Sequence, residues 1–186
     1  MNFGERFGQG LSYSAFLDKF GSDDHKRKWQ AMHEQVRLTD AQVELLKGFT
    51  REMKVIVVAG TWCGDCVNQC PIFAHFEAVA PTIKVRYFDR DASPDLAAEL
   101  SICGAARVPS LLFLSEDDFP CGRAGDRTLS KYRQMAQGLT GAACSTGLVG
   151  KSDDLTPKVV QDWLDEFERI QWMLRTSSRL RQKHGD

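Results

Sequence analysis

The chain has 186 residues, of which 42% are hydrophobic and 26% charged, and its formal net charge at pH 7 is −1. A chain of this length and composition can bury one good-sized core, and it lacks the excess of Lys and Arg that binding to nucleic acid or acidic lipid requires. No stretch approaches the roughly 20 apolar residues of a membrane span. We therefore expect neither nucleic acid nor a membrane among its partners.

The first 50 residues predict helices, because large apolar residues repeat there at helical spacing. The repeat comprises Tyr13, Phe16, Leu17 and Phe20, and then Trp29, Met32 and Val36. A third helix is expected to begin at Thr39, whose hydroxyl can cap the first free amides while the Gln42 side chain returns the bond.

From residue 53 the pattern changes to alternating strands and helices. The β-branched run VIVVAG, residues 55 to 60, predicts a short buried strand, since such side chains favour a pleated surface. Further along we predict a helix from Cys63 to Ala80 interrupted by Pro71, strands at Ile83–Asp89, Ser110–Ser115 and Pro120–Ala124, and a helix from Asp95 to Ile102 capped by Ser93. This order predicts an α/β fold with two parallel strands joined by a crossover and two antiparallel strands.

The C-terminal part predicts two helices separated by a loop. Residues 129–137 are predicted as helical, and the glycine-rich residues 138–150 as a flexible surface loop. Thr156 begins a long helix with an apolar stripe, and we interpret its basic end as a solvated tail favoured by the helix dipole. We expect one domain with a helical extension (1–52), a core (53–138), a flexible loop (139–154) and a C-terminal helix (155–186).

Three cysteines lie close together in TWCGDCVNQCP, residues 61–71. Without an apolar signal at the N-terminus, the six cysteines indicate a reducing cytoplasm, where such spacing is typical of redox or metal chemistry. Cys63 follows a strand and precedes a helix, so free amides and the helix dipole favour its thiolate, the form that attacks disulfides. Cys66 is close enough to resolve a mixed disulfide by attacking Cys63. Asp65, lying between two thiols, is expected to weaken that activation.

Other interpretations of these cysteines remain open. Cys63, Cys66 and Cys70 have the residue types of three zinc or iron–sulfur ligands, and the pair could also be two core cysteines. We interpret Cys70, one helical turn deeper, as a buried bystander. The other cysteines, Cys103, Cys121 and Cys144, stand alone, and the histidines show no pairing with a nucleophile.

The sequence resembles the thioredoxin superfamily. The matching residues are Trp62, Cys63, Gly64, Cys66, Pro71 and Pro109, within a segment from about Met53 to Gly138. The resemblance implies a thioredoxin-like fold: a central mixed four-stranded sheet flanked by helices, here with extra N-terminal helices and a long C-terminal helix. It also implies that Pro109 is cis and packs against the cysteine pair, and that a substrate strand pairs with the Val108 backbone. Trp62, Gly64 and Asp65 complete the implied substrate-binding site.

Two departures from the family pattern concern the tuning of the cysteines. Thioredoxins proper usually carry a buried acid and a buried lysine where this chain has Val57 and Val85. Loss of the acid and the lysine together is physically consistent, because burying one charge without its partner is energetically costly. The same loss removes the acid proposed to accept a proton from Cys66. Asp65 is the second departure, and Cys-Gly-Asp-Cys resembles a bacterial subgroup of small thioredoxin-like proteins.

The leading hypothesis is a cytoplasmic thiol–disulfide oxidoreductase in which Cys63 and Cys66 form a redox-active disulfide and no cofactor is needed. Its expected partners are a disulfide-containing substrate protein or small thiol, with a reductase or glutathione as electron donor. The alternative is a thioredoxin-fold adaptor module that uses its helical additions to hold a partner protein. A metal site at the three cysteines is the third hypothesis.

Overall fold

The computed structural model describes residues 1–139 and 155–186, which form helices around a four-stranded sheet. The helices are α1 (Phe3–Gly8), α2 (Tyr13–Phe20), α3 (Asp23–Gln35), α4 (Asp40–Lys47), α5 (Gly64–Val79), α6 (Pro94–Glu99), α7 (Leu129–Leu139), α8 (Thr156–Thr176) and α9 (Ser178–His184). The strands are β1 (Met53–Ala59), β2 (Ile83–Asp89), β3 (Ser110–Ser115) and β4 (Pro120–Gly125). Their order is β2-β1-β3-β4, with β1 parallel to β2 and β3 antiparallel to both its neighbours. The predicted mixed sheet with flanking helices is confirmed.

The strand β1 lies in the interior of the sheet and is almost wholly buried. Its central residues Val55, Ile56, Val57 and Val58 have no exposed surface. A near-continuous apolar run is what a strand needs when neighbours pair with both of its edges and helices cover both of its faces. The turn that carries the cysteine motif follows directly after the C-terminal end of β1. It therefore lies at the end of an interior strand of the sheet.

An aromatic cluster holds α8 against α5 and β3. The Phe167 ring lies 5.7 Å from Phe73, 5.2 Å from Phe76 and 5.1 Å from Phe113, measured between ring centroids. Trp163 meets Phe73 edge-on at 4.8 Å. Such aromatic pairs contribute about 0.5–1.5 kcal/mol each beyond the area that they bury. The apolar stripe predicted on the C-terminal helix is thus the surface that fixes α5, the helix that begins at the cysteines.

The N-terminal helices pack on the sheet, and one of them was not predicted. Helix α1 is short and capped by the Asn2 side chain, and the sequence expectation began only at Tyr13. The capping box of Thr39 and Gln42 at the start of α4 is present as predicted. Phe16 of α2 stacks on Tyr87 of β2 with ring centroids 5.6 Å apart, so this extension covers the edge of the core.

The prediction of one C-terminal helix over residues 155–186 is wrong, whereas the basic residues near its end are exposed to solvent as expected. Ser177 adopts an extended conformation (φ −62°, ψ 117°) that ends α8 and caps α9. The basic residues then turn back to the acidic turn after β3. Arg179 forms an ion pair with Asp117, and Lys183 Nζ lies 2.6 Å from Glu116 Oε1. Attraction to these carboxylates places the basic side chains on the protein surface.

Two smaller predictions on helix boundaries are also wrong. Pro71 does not interrupt α5, which continues through it, because buried residues on both sides hold the helix against its neighbours. Ser93 makes no capping hydrogen bond, and α6 ends at Glu99 rather than near Ile102. The loop predicted at 139–154 lies outside the described residues, apart from Leu139 at the end of α7. Among the described helices, none combines the length and apolar character needed to cross a bilayer.

Candidate active site

The cysteine pair lies at the junction between β1 and α5. Cys63 is the N-cap residue of α5 and is half-buried, whereas Cys66, one turn into the helix, is fully buried. The Gly60 amide donates a hydrogen bond to Cys66 Sγ at 3.5 Å. The two thiols therefore differ in access: only Cys63 can be reached from solvent, and Cys66 lies behind it against the turn.

A distant segment completes the site opposite Cys63. Cys63 Sγ donates a weak hydrogen bond to the Val108 carbonyl oxygen at 3.6 Å, although the two residues are 45 positions apart. The peptide bond between Val108 and Pro109 is cis. Ser110, the next residue, begins β3, whose antiparallel pairing with β1 brings this segment beside the cysteines.

The indole ring of Trp62 is exposed and lies next to the cysteines. Its side chain is 47% exposed, and the Arg90 guanidinium lies over its ring, 4.4 Å from the centroid. The indole packs so tightly onto Gly60 that a Cβ there would lie 2.7 Å from a ring carbon. A Cβ at position 60 would therefore force the Trp62 ring to move from its place between Gly60 and Arg90. Gly64 faces open space: a Cβ there would meet no atom within 4 Å.

Asp65, the residue between the cysteines, forms a close ion pair. Its Oδ2 atom lies 2.6 Å from Nη2 of Arg127, and both side chains are mostly buried. Arg127 follows β4, so this partner comes from the far end of the sheet. The carboxylate that was expected to weaken the activation of Cys63 thus has a cation against it.

In the free dithiol, a hydrogen bond with Cys66 and partial burial raise the pKa of the Cys63 thiol above its ordinary value. The amides of Asp65 and Cys66 at the helix N-terminus favour the thiolate, as expected, but they are outweighed. Burial likewise raises the pKa of Cys66. Two neighbouring thiols in a partly dry site therefore remain protonated at neutral pH.

The remaining cysteines are spread over different environments. Cys70 is fully buried beneath Cys66, as predicted for a bystander, while Cys103 is exposed and Cys121 half-buried. Cys144 lies outside the described residues. In the part of the chain that the structure describes, no group of three or more His, Cys, Asp or Glu residues is arranged to hold a metal ion.

Val57 and Val85, the two valines that depart from the family pattern, are buried in the neighbouring strands β1 and β2. Val57 pairs with Tyr87 of β2 and Leu111 of β3, and Val85 pairs with Val55. Both have no exposed surface. The positions expected to carry an acid and a lysine are thus packed as apolar core.

Sequence reasoning missed the side chains that hold the turn before Cys63. The buried Trp29 indole donates to the Thr61 carbonyl oxygen at 2.9 Å, and the Thr61 hydroxyl donates to the Phe20 carbonyl oxygen at 3.0 Å. His25 Nδ1 lies 3.1 Å from the same hydroxyl oxygen. These partners come from α2 and α3, more than 30 residues earlier, and no local motif in the sequence marks them.

Together, a mixed sheet in the order β2-β1-β3-β4, a cysteine pair at the start of α5 and a cis-proline opposite it define a thioredoxin-like fold. A thioredoxin family model matches residues 10–128, and the chain belongs to that family. A comparison with curated proteins finds no significant match.

Solved structures with the same fold cover nearly the whole chain. A protein of unknown function from Pseudomonas aeruginosa has 19% identity and a TM-score of 0.72, covering 91% of this chain and 96% of its own. An HIV epitope-scaffold has 19% identity and a TM-score of 0.68, with 91% and 97% covered. Mitochondrial thioredoxin 3 from Saccharomyces cerevisiae, in its oxidised form, has 25% identity and a TM-score of 0.34, with 50% and 86% covered. The first two extend the similarity in fold to the helical additions.

Proposed function

We propose that the protein is a thiol–disulfide oxidoreductase in which Cys63 attacks and Cys66 resolves. One observation carries the proposal. The accessible Cys63 sulfur lies between the buried Cys66 and the Val108 carbonyl oxygen, at the N-terminus of a helix. This arrangement presents one sulfur to a substrate and keeps the second behind it, as a two-step exchange requires.

The exchange balances without a cofactor. The Cys63 thiolate attacks one sulfur of a substrate disulfide, forms a mixed disulfide and expels a substrate thiolate, which takes up a proton. Cys66 then loses its proton and attacks Cys63, so that the Cys63–Cys66 disulfide forms and the second substrate thiol leaves. Two electrons and two protons pass from the protein dithiol to the substrate. A small thiol such as glutathione, or a dithiol reductase, returns them in a reducing cytoplasm.

Substrate binding supplies a means to activate Cys63. In the free protein its thiol proton faces the Val108 carbonyl oxygen, an acceptor that favours the protonated form. A substrate strand that pairs with the Val108 backbone presents its own amide to that oxygen and displaces the thiol. Loss of this acceptor removes one group that favours the protonated thiol, and the amides of the helix N-terminus, which favour the thiolate, still act on the sulfur. Trp62 and Pro109 form the walls of the groove in which the substrate lies.

The test is a redox titration with trapping of free thiols. The protein is equilibrated with glutathione mixtures, alkylated and analysed by mass spectrometry with fragmentation. We expect a reversible Cys63–Cys66 disulfide with one midpoint potential, unchanged in Cys103→Ser, a control that removes an exposed thiol. Absence of that disulfide at every potential would refute the proposal.

A binding role is the second candidate, favoured by the buried Val57 and Val85 and by the raised pKa of Cys63. These features lower the reactivity of the dithiol without altering the groove. The two functions predict different behaviour of trapping variants. An oxidoreductase captures its substrates covalently in Cys66→Ser, and a reductant releases them. An adaptor retains its partner in the presence of reductant and equally in Cys63→Ser.

A further inference from the structure

A chain of alternating charges runs beside the dithiol, from the cis-proline segment to the cysteine motif. Arg107 Nη1, adjacent to Val108, lies 3.4 Å from Asp126 Oδ2. The same oxygen lies 3.0 Å from Arg127 Nη1, and Arg127 Nη2 lies 2.6 Å from Asp65 Oδ2. The chain therefore ends on the carboxylate that separates Cys63 from Cys66.

Three of these four charges are largely shielded from solvent, so their interactions are stronger than those of a surface ion pair, whereas the Arg107 side chain is 40% exposed. The side chains of Asp65, Arg127 and Asp126 are 19%, 23% and 4% exposed. Burial acts to raise the pKa of Asp126, but a hydrogen bond from Tyr132 and the charge of Arg127 hold it below its usual range. Burial acts to lower the pKa of Arg127, and Asp65 and Asp126 raise it instead. Asp126 and Arg127 thus both stay charged around neutral pH.

A buried amide fixes Arg127 relative to the helix that carries the cysteines. The Gln69 side-chain nitrogen donates to the Asp126 carbonyl oxygen at 2.9 Å and to the Asp65 carbonyl oxygen at 3.1 Å. The Trp163 indole donates to the other end of the same amide at 2.9 Å. One side chain of α5 therefore ties the segment after β4 to the first turn of the helix and to α8. The Arg127 guanidinium is held where Asp65 begins that turn.

A second cation near Cys63 is compensated by another acid. Arg90 lies over the Trp62 ring, and its Nε atom lies 2.8 Å from Asp91 Oδ1. Its charge therefore does not replace that of Arg127 at Asp65. Lys131 of α7 lines the same cavity as Asp65, but its Nζ atom donates to Gln134 Oε1 at 3.0 Å. Among the described residues, Arg127 is the cation within ion-pair distance of Asp65.

We propose that Arg127 is a positioning residue of the dithiol, which neutralises the Asp65 carboxylate between the two cysteines and so allows Cys63 to ionise. This role rests on the proposed oxidoreductase function, because ionisation of Cys63 starts the exchange. Without Arg127, the helix would carry an uncompensated negative charge two residues after Cys63 and one residue before Cys66. A charge at that distance opposes a thiolate and offsets the helix dipole.

The signs of three variants follow. Arg127→Met keeps the stem and removes the charge, so Cys63 should ionise at higher pH. The smallest shift usually caused by a nearby uncompensated charge is about one pKa unit. A rise of that size in the pKa of Cys63 lowers its alkylation rate at pH 7 about tenfold. Asp65→Asn removes the negative charge beside the thiols and leaves Arg127 paired with Asp126, so it should raise that rate. The double variant should return close to the rate of the native protein.

The measurement is the rate of Cys63 alkylation by iodoacetamide as a function of pH, with the label assigned by fragment-ion mass spectrometry. Arg123→Met is the matched control: this arginine lies on β4, and its partner is Glu99 at 2.6 Å, away from the cysteines. It should leave the profile unchanged. Arg127→Lys keeps a cation at the site and should retain most of the native rate, which a purely steric role of the guanidinium would not predict.

The outcomes separate this inference from the proposed function. An Arg127→Met profile within about twofold of the native one, in a protein that folds by circular dichroism, overturns the inference and leaves the redox titration untouched. If Arg127→Met does not fold, Arg127→Gln takes its place: a slower rate supports the role of Arg127, and an unchanged or faster rate overturns it. If no Cys63–Cys66 disulfide forms, the proposed function fails, while the alkylation profiles still measure whether Arg127 compensates the charge of Asp65.

Discussion

Substitution of Trp29 by phenylalanine tests whether the N-terminal helices belong to the scaffold of the site. Trp29 is fully buried, and its indole nitrogen donates to the Thr61 carbonyl oxygen, two residues before Cys63. Phenylalanine removes the donor and part of the ring. A buried carbonyl left without its partner costs about 1–3 kcal/mol, and the vacated volume adds about 1–2 kcal/mol. Allowing for partial relaxation, we expect the free energy of unfolding to fall by about 2–4 kcal/mol.

The assay is urea denaturation followed by circular dichroism. For an m-value of about 2–3 kcal/mol/M, this loss lowers the midpoint by about 1 M. Trp172→Phe is the matched control, because Trp172 is 57% exposed and donates only to Glu168 on its own helix, so its cost should stay within about 0.5 kcal/mol. If Trp29→Phe costs no more than this control, the turn before Cys63 does not depend on α3 and the reasoning fails.

Three further predictions concern ionisation and backbone geometry. Because the pKa of Cys63 is raised, its alkylation at pH 7 should be slower than that of a small model thiol and should still increase above pH about 9; a plateau below pH 8 would contradict this. A hydrogen bond from Arg179 lowers the pKa of Asp117 to about 2, so its stabilisation is present above the unfolded value of about 3.9 and is lost as pH falls toward 2. Arg179→Met should flatten the acid-unfolding curve in that window, and an unchanged curve would exclude the pair as its cause. Gly125 has a φ of +124°, and a Cβ there would lie 2.4 Å from the Pro109 carbonyl oxygen, so Gly125→Ala should destabilise by about 1–3 kcal/mol. A native melting temperature would count against that strain.

The sheet and the position of the cysteine pair were predictable because their signals are local. A run of β-branched residues marks β1, and spacing alone placed Cys63 and Cys66 at a strand-to-helix junction. The capping box at Thr39 was predictable for the same reason, since both of its hydrogen bonds join residues three positions apart. Each of these features is determined by the backbone's own hydrogen-bonding needs within one turn or one strand.

The errors have the opposite origin. The sequence pattern on both sides of Ser177 predicts a single helix, whereas the structure has two. The break is stabilised because Arg179 and Lys183 form ion pairs with carboxylates in a turn some 60 residues earlier. The helix N-terminus is the influence on Cys63 that the sequence indicates, whereas the stronger influences on the pKa of its thiol are its hydrogen bond with Cys66 and burial. A sequence pattern does not show which side chains lie close together in the folded protein.

The sequence by itself determined the groups on which the proposed chemistry rests: two thiols at the start of a helix, a proline segment to oppose them, and valine at the two positions where the resemblance implies buried charge. Only the tertiary structure decided how that chemistry is controlled. It joined Asp65 to Arg127 across the sheet and tied Thr61 to Trp29 of the N-terminal helices. Backbone propensities act over a few residues, while electrostatic and hydrogen-bond partners are chosen by the packing of whole elements.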